Sequence, residues 1–199
     1  MLAHLSALCS GLYPRPSPHK RILVVNGHPD PSPARFSAGL CAAYTEGAKS
    51  CGHKTRHLEV GAAPWPGAQS NHPHWLQFEA AKMLEHLWLA DRLFIAFPMW
   101  LGGPPPALTL ILEELARWQH AEAKALGEKW EGKDAHVVVT ASFPSFVYAT
   151  DHGDVVAAWA RSLSALRTSN IMVIGNMDLL SVDDRSTWLS KVRHLGASP

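Results

Sequence analysis

Three stretches of the chain concentrate the side chains able to do chemistry. The first is Gly27-His28-Pro29-Asp30-Pro31-Ser32-Pro33, followed by Arg35, Phe36 and Ser37. Ser32, Arg35 and Ser37 surround a predicted helix start. Free amide N–H groups and the positive end of a helix dipole attract a phosphate there. Two hydroxyls and a guanidinium would add charge-assisted hydrogen bonds. The same residues serve equally well as an ordinary cap at Ser32 with a solvated Arg35. The stretch lacks both GxGxxG and GxxxxGK[ST] spacing, which excludes a dinucleotide fingerprint and a P-loop.

The second stretch is Phe97-Pro98-Met99-Trp100-Leu101-Gly102-Gly103-Pro104. Its prolines fix the backbone and its glycines let a flat ligand approach closely. Trp100 offers a ring for that ligand, or for a neighbouring helix or a second subunit. The third stretch runs from Thr140-Ala141-Ser142-Phe143 through Tyr148 to Asp151-His152-Gly153-Asp154. It supplies amides, hydroxyls, an aromatic wall, a phenol and an imidazole. Tyr148 and His152 are the candidate proton donors. With 12 histidines in the chain, His152 also reads as an ordinary structural or solvated residue.

The elements that must position these stretches follow from hydrophobic patterning. Continuous apolar runs at 21–26, 91–97, 136–140 and 171–175 predict strands buried on both faces. A weaker alternation at 53–60 predicts another strand. Helical spacing of apolar residues predicts helices at 34–49, 74–89, 107–119, 154–168 and 182–195. Ser32-Pro33 is expected to cap the first of these, and Cys51-Gly52 to end it. Residues 121–133 are ambiguous, and 141–153 read as a loop or broken segment. Strands alternating with helices imply an α/β domain with a parallel sheet and helices on both faces. Right-handed crossovers give five strands the order 2-1-3-4-5 of a doubly wound, flavodoxin-like sheet. In such sheets ligands bind beyond the carboxyl ends of the strands, at the switch in strand order. That rule selects 28–37, 98–106 and 141–153.

Composition narrows the classes further. A chain of 199 residues sets one domain as the expectation. Its formal net charge of +1 leaves no electrostatic footprint for nucleic acid. No apolar run approaches the ~20 residues that span a bilayer. Three cysteines, Cys9, Cys41 and Cys51, without a CxxC pair argue against a disulfide framework and a zinc site; they read as thiols in a reducing compartment. Met1 to Leu12 has no Lys or Arg ahead of its apolar residues, so a secretory signal is not expected. Pro14, Pro16 and Pro18 make 1–20 a flexible extension and leave 21–199 as the domain.

At these residues the chain resembles the FMN-dependent NAD(P)H:quinone oxidoreductases. These are flavodoxin-like enzymes that include the modulator-of-drug-activity type and the ancillary subunits of bacterial potassium-efflux systems. The resemblance spans Arg21 to Asp178. It rests on Asn26-Gly27-His28-Pro29 with Ser32, Arg35, Phe36 and Ser37, on Ala90-Asp91 leading into Phe97-Pro98-Met99-Trp100-Leu101 and Pro106-Ala107, and on Gly132-Lys133 leading into the strand that ends at Thr140, with Tyr148 beyond. It implies FMN with its phosphate at 28–37, His28 included. Pro98, Met99, Trp100 and Leu101 would then line the isoalloxazine, and Thr140, Ala141, Ser142 and Phe143 would meet its polar edge. Tyr148 resembles a tyrosine that lies near the flavin in this family, with a histidine ahead of Gly-Asp as in His152-Gly153-Asp154.

The implied reaction is hydride transfer from NADH or NADPH through the flavin to a quinone or similar acceptor, by a cytoplasmic homodimer. Arg35 and Arg92 are the cations whose placement bears on the choice of nicotinamide. The chain departs from the family where Ala141-Ser142-Phe143 stands in place of a glycine-bearing turn, and where Tyr148 and His152 are closer together. Two other classes keep the same motifs: a regulatory subunit that docks on a membrane transporter, and a flavin-free structural relative with Phe143 in the ring site. An electron carrier of the flavodoxin type would be strongly acidic, unlike this neutral chain.

Overall fold

The computed structural model describes residues 19–62, 85–86, 89–100, 103–111, 113, 133–147 and 167–199. Five parallel strands form one sheet in the order β2-β1-β3-β4-β5, as the patterning predicts. They are β1 (Arg21–Asn26), β2 (Lys54–Glu59), β3 (Arg92–Pro98), β4 (Asp134–Thr140) and β5 (Arg167–Ile174). Alternate residues of each apolar run feed opposite cores. Ile22, Val24, Phe94, Ala96, Val138 and Ile174 face α1 (Phe36–Ser50) and α3 (Val182–Gly196). Leu23, Val25, Leu93, Ile95, Phe97, Val137 and Val139 face the other way, against Ala107, Leu108 and Ile111 of α2, helical residues 106–111. Helices therefore cover both faces. β2 at the sheet edge exposes Lys54, Arg56 and His57, charged and polar chains that discourage edge-to-edge pairing.

α1 and α3 pack side by side with unusually close backbones. A Cβ placed on Gly47 would collide with the Arg193 carbonyl, and one on Gly196 with the Tyr44 carbonyl. Nearer their N-termini, a Cβ on Gly39 would meet Leu189 at 3.6 Å. Both helices follow strands of a parallel sheet, so both begin at its carboxyl end.

The amino end of the sheet holds a buried polar network. Arg92, 3% exposed, donates from Nε to Asp134 Oδ2 at 2.8 Å. Its other nitrogens donate to the Ser198 carbonyl and hydroxyl and to the Pro199 carbonyl. Lys20 lies 3.7 Å from Asp134, and its backbone N–H donates to His53 Nδ1. The Tyr44 hydroxyl meets His136 Nδ1 at 2.8 Å, and its ring stacks on Phe94 at 3.9 Å. Burial, followed by the Arg92 charge, lowers the His136 pKa to about 4.

Several boundaries differ from the sequence expectation. α1 starts at Phe36 with Arg35 at the cap position, not at Ser32-Pro33. Ser32 instead closes a tighter turn, accepting the Ala34 N–H on Oγ and the Arg35 N–H on its carbonyl. β4 begins at Asp134 rather than His136, and β5 begins at Arg167, inside the predicted helix 154–168. Within 141–153, expected as a loop or broken segment, Ser145–Val147 form a single helical turn. Cys51 ends α1, with Gly52 at φ +79. Just ahead of β1, the Lys20 carbonyl accepts the Lys54 N–H at 2.9 Å. Most of the predicted helix 74–89, most of 121–133, and residues 1–18 fall outside the described residues; Glu85, His86 and Leu89 are helical. Cys41 is buried and Cys51 exposed, both as free thiols.

Candidate functional site

The candidate site lies at the carboxyl ends of β1, β3 and β4, which are neighbours in the sheet. The switch in strand order falls between β1 and β3, where connections leave in opposite directions and open a crevice.

The loop from β1 is stitched from its first residue. Gly27 N–H donates to the Ala96 carbonyl of β3 at 2.8 Å. Asn26 is 1% exposed; its Nδ2 donates to Glu59 Oε2 at 2.7 Å and its Oδ1 accepts the His28 N–H at 3.2 Å. Burial raises the Glu59 pKa against the pull of that hydrogen bond. His28 Nδ1 accepts the Asp30 N–H at 2.9 Å. Burial is the main reason its pKa falls below the ordinary value, so the ring is neutral near pH 7. Asp30 accepts the Ser32 N–H on one oxygen and the Arg35 Nε on the other, at 2.9 and 2.7 Å. The Ser32 amide and then the Arg35 guanidinium lower its pKa. Arg35 is thus committed to Asp30, and the loop is locally neutral.

That loop delivers the chain into a helix start left open. No side chain caps the first-turn amides of α1, and the turn contains no acid. Ser37, one residue into the helix, is 2% exposed. Its Oγ is the one buried side-chain nitrogen or oxygen among the described residues with no hydrogen-bond partner. Such an oxygen costs about 1–3 kcal/mol unless something bonds to it. Phe36 is half-buried and packs into the α1–α3 core. Ser32 sits one turn earlier, with its N–H and hydroxyl already engaged.

The second loop continues the β3–β4 ladder. Pro98 stands opposite Thr140 as the last residue of β3, where a missing N–H costs no sheet bond. Met99 N–H donates to the Thr140 carbonyl at 2.7 Å, and the Met99 side chain is buried. Trp100 and Gly103 then exchange both backbone hydrogen bonds, at 2.9 and 3.1 Å. The turn leaves Trp100 47% exposed, a large apolar surface facing water. Leu101 falls outside the described residues.

The third loop is tied to the end of β5. Ala141 N–H donates to the Ile174 carbonyl, Met177 N–H to the Ala141 carbonyl and Asn176 N–H to the Phe143 carbonyl, all at 2.9–3.0 Å. Thr140 and Ala141 are buried and Ser142 is exposed. Phe143 packs half-buried against the core beneath α2. Tyr148 and His152 fall outside the described residues.

The structure therefore brings His28, Ser32, Arg35, Phe36, Ser37, Pro98, Met99, Trp100, Thr140, Ala141, Ser142 and Phe143 to one end of the sheet. Arg92 does not join them. It opens β3 at the opposite end, bound to Asp134, which removes it from any choice of nicotinamide made at the carboxyl end. Two participants escape sequence reasoning. Asp30 reads as a turn residue, yet it neutralises Arg35. Arg185 of α3 lies far along the chain, yet its guanidinium sits 5.6 Å from the Phe36 ring centroid. Helical periodicity in 182–195 marks the element but not this contact.

Among the described residues no helix is long and apolar enough to cross a membrane. Comparison with curated proteins yields no match. Solved structures resemble the chain over most of its length. An NAD(P)H:quinone oxidoreductase from Methanothermobacter marburgensis superposes with a TM-score of 0.66 at 18% identity, covering 90% of this chain and 95% of that one. An FMN-dependent NADH-azoreductase from Bacillus anthracis, solved in complex with FMN, gives 0.66 at 11% identity over 89% of this chain and 100% of the other. An NADPH-quinone reductase from P. pentosaceus gives 0.58 at 15% identity over 89% and 97%. At such identities the likeness speaks for the fold. A family model described as flavodoxin-like fold matches residues 20–175. With the strand order, the crossovers and that match in agreement, the chain belongs to the flavodoxin-like fold family.

Proposed function

We propose that this protein is an FMN-dependent oxidoreductase that moves two electrons from NADH or NADPH to a quinone or similar small acceptor. The observation that carries this reading is the uncapped start of α1 with the buried, unpartnered Ser37 hydroxyl, set beside the β1–β3 switch. A phosphate monoester fits both needs: it accepts from the free amides and from Ser37. The similar structures named for quinone reductases and for an FMN-dependent azoreductase support the same reading.

FMN, when bound, supplies the hydride chemistry itself. The chain's residues bind and orient. The α1 amides and Ser37 hold the phosphate, with His28, Ser32, Arg35 and Phe36 shaping its loop. Trp100 offers an exposed ring surface for the flat part of the cofactor, flanked by Pro98, Met99 and Leu101. Thr140, Ala141, Ser142 and Phe143 border its polar edge. Tyr148 and His152 are assigned as proton donors to the reduced acceptor. Homodimer assembly and a cytoplasmic location complete the reading.

A second reading keeps the same motifs: a regulatory subunit that docks on a membrane transporter. One experiment tests both. The purified protein is incubated with FMN, freed of unbound ligand, and examined by visible absorption. A stoichiometric flavin spectrum that bleaches anaerobically with NADPH and recovers on adding a quinone is expected. Retained flavin without quinone turnover would favour the regulatory subunit. No retained flavin would overturn the cofactor assignment.

A further inference from the structure

Resting on the FMN reading above, we propose that Arg185 of α3 is the cation that recognises the phosphate of the bound flavin nucleotide.

Helix register puts Arg185 at the right level. Gly39 of α1 lies against Leu189 of α3, and the two helices run side by side in one direction. One turn earlier on each, Phe36 faces Arg185, whose guanidinium carbon is 5.6 Å from the ring centroid. Phe36 is the first residue of α1. The charge therefore stands beside the open helix end, with the aromatic ring between it and the core.

The guanidinium is also held in place. Nε donates to the Leu180 carbonyl at 3.3 Å and Nη2 to the Met177 carbonyl at 3.0 Å. Both carbonyls belong to the connection that follows β5 at the carboxyl end of the sheet. They orient the group without neutralising it. Among the described residues no carboxylate lies within ion-pair distance of Arg185. Of the nearby acids, Asp184 is engaged in the Ser181 capping box, and Asp178 and Asp183 are exposed.

Charge balance makes this cation matter. Asp30 cancels Arg35, and His28 is neutral near pH 7. The β1–α1 loop thus presents no net positive charge to a dianion. The helix end contributes only about half an elementary charge. Among the described residues, Arg185 is the cation that packs on the first turn of α1 and forms no ion pair.

The test compares FMN with riboflavin, which has the same ring system and no phosphate. Both are titrated by flavin fluorescence against wild type, Arg185→Gln and Arg185→Lys. Wild type is expected to prefer FMN. Arg185→Gln is expected to lose about tenfold in FMN affinity, to hold riboflavin unchanged within about twofold, and to show a flatter salt dependence for FMN. Arg185→Lys, which keeps the charge but not the forked carbonyl bonds, is expected to retain most of the FMN preference. Equal weakening of both flavins in Arg185→Gln would reduce Arg185 to a loop staple and overturn the inference. So would an FMN affinity unchanged from wild type, with the functional reading left standing. If Arg185→Gln fails to fold, loss of the FMN preference in Arg185→Lys would overturn it instead. Wild type that binds neither flavin would overturn the functional reading, and this inference with it.

Discussion

The two ends of the sheet treat polar groups in opposite ways. At the amino end, Arg92, Asp134, His136, Tyr44 and His53 are buried, and each has a partner. At the carboxyl end, α1 begins without a side-chain cap, Ser37 Oγ is buried and unpaired, and Trp100 is exposed. Among the described residues, one end closes its hydrogen bonds internally and the other leaves a buried hydroxyl and a helix start open. Ordinary packing produces the first pattern, and the second is what a bound anion would complete.

The sharpest way to break this contrast is at the closed end. Arg92→Leu strands the Asp134 carboxylate inside the protein and is expected to cost about 3–5 kcal/mol, read as a lower urea midpoint. Flavin bound per folded molecule should not change; a parallel loss would mean that the two ends are coupled. Acid probes the same network. His136 titrates near pH 4 when folded, below its ordinary value of 6.5. The unfolded chain therefore takes up the proton first, and stability drains away as pH falls from about 6.5 toward 4. The loss is of order 1–2 kcal/mol after solvent screening, and His136→Gln should flatten that part of the stability–pH curve.

At the open end the signs reverse. Ser37→Ala removes a hydroxyl that nothing satisfies, so the ligand-free protein should gain about 1 kcal/mol. Its melting temperature should rise while the further increase on adding FMN shrinks. A ligand-free protein destabilised by this change would show the hydroxyl to be bonded after all. Trp100→Ala should leave stability within about 0.5 kcal/mol. FMN binding should weaken by a few-fold, consistent with a stacked aromatic worth about 0.5–1.5 kcal/mol. Unchanged flavin affinity would remove the second loop from the site.

Much of this arrangement is legible in the sequence, because two-sided burial leaves an unmistakable mark. Ile22 to Val25 and Leu93 to Phe97 are apolar without interruption, and only a sheet covered on both faces needs that. The carboxyl-end rule then selects 28–37, 98–106 and 141–153, whose described residues gather at one end of the sheet. What stays hidden depends on partners far along the chain. Asp134 looks like a loop residue until Arg92, across the β3–β4 ladder, makes its burial affordable; that is why β4 starts earlier than hydropathy suggests. Ser32 looks like the cap of α1 until Asp30 takes its amide and draws it into a separate turn. Nothing local marks Ser37 as unpaired, since being unpaired is a property of its surroundings. Arg185 meets Phe36 only after every strand has been laid down.

That last point bears on how the molecule is made. α1 buries Leu40 and Tyr44 partly against α3, whose backbone it approaches so closely that Gly47 and Gly196 admit no side chain. On the ribosome, α1 emerges before α3, with β2, β3, β4 and β5 made between them. The apolar flank of α1 therefore waits through the synthesis of four strands for its cover, a long-range contact of the kind that slows folding. A nascent chain halted before Val182 would present that flank to chaperones, and the start of α1 would stand without the Arg185 wall until α3 is made.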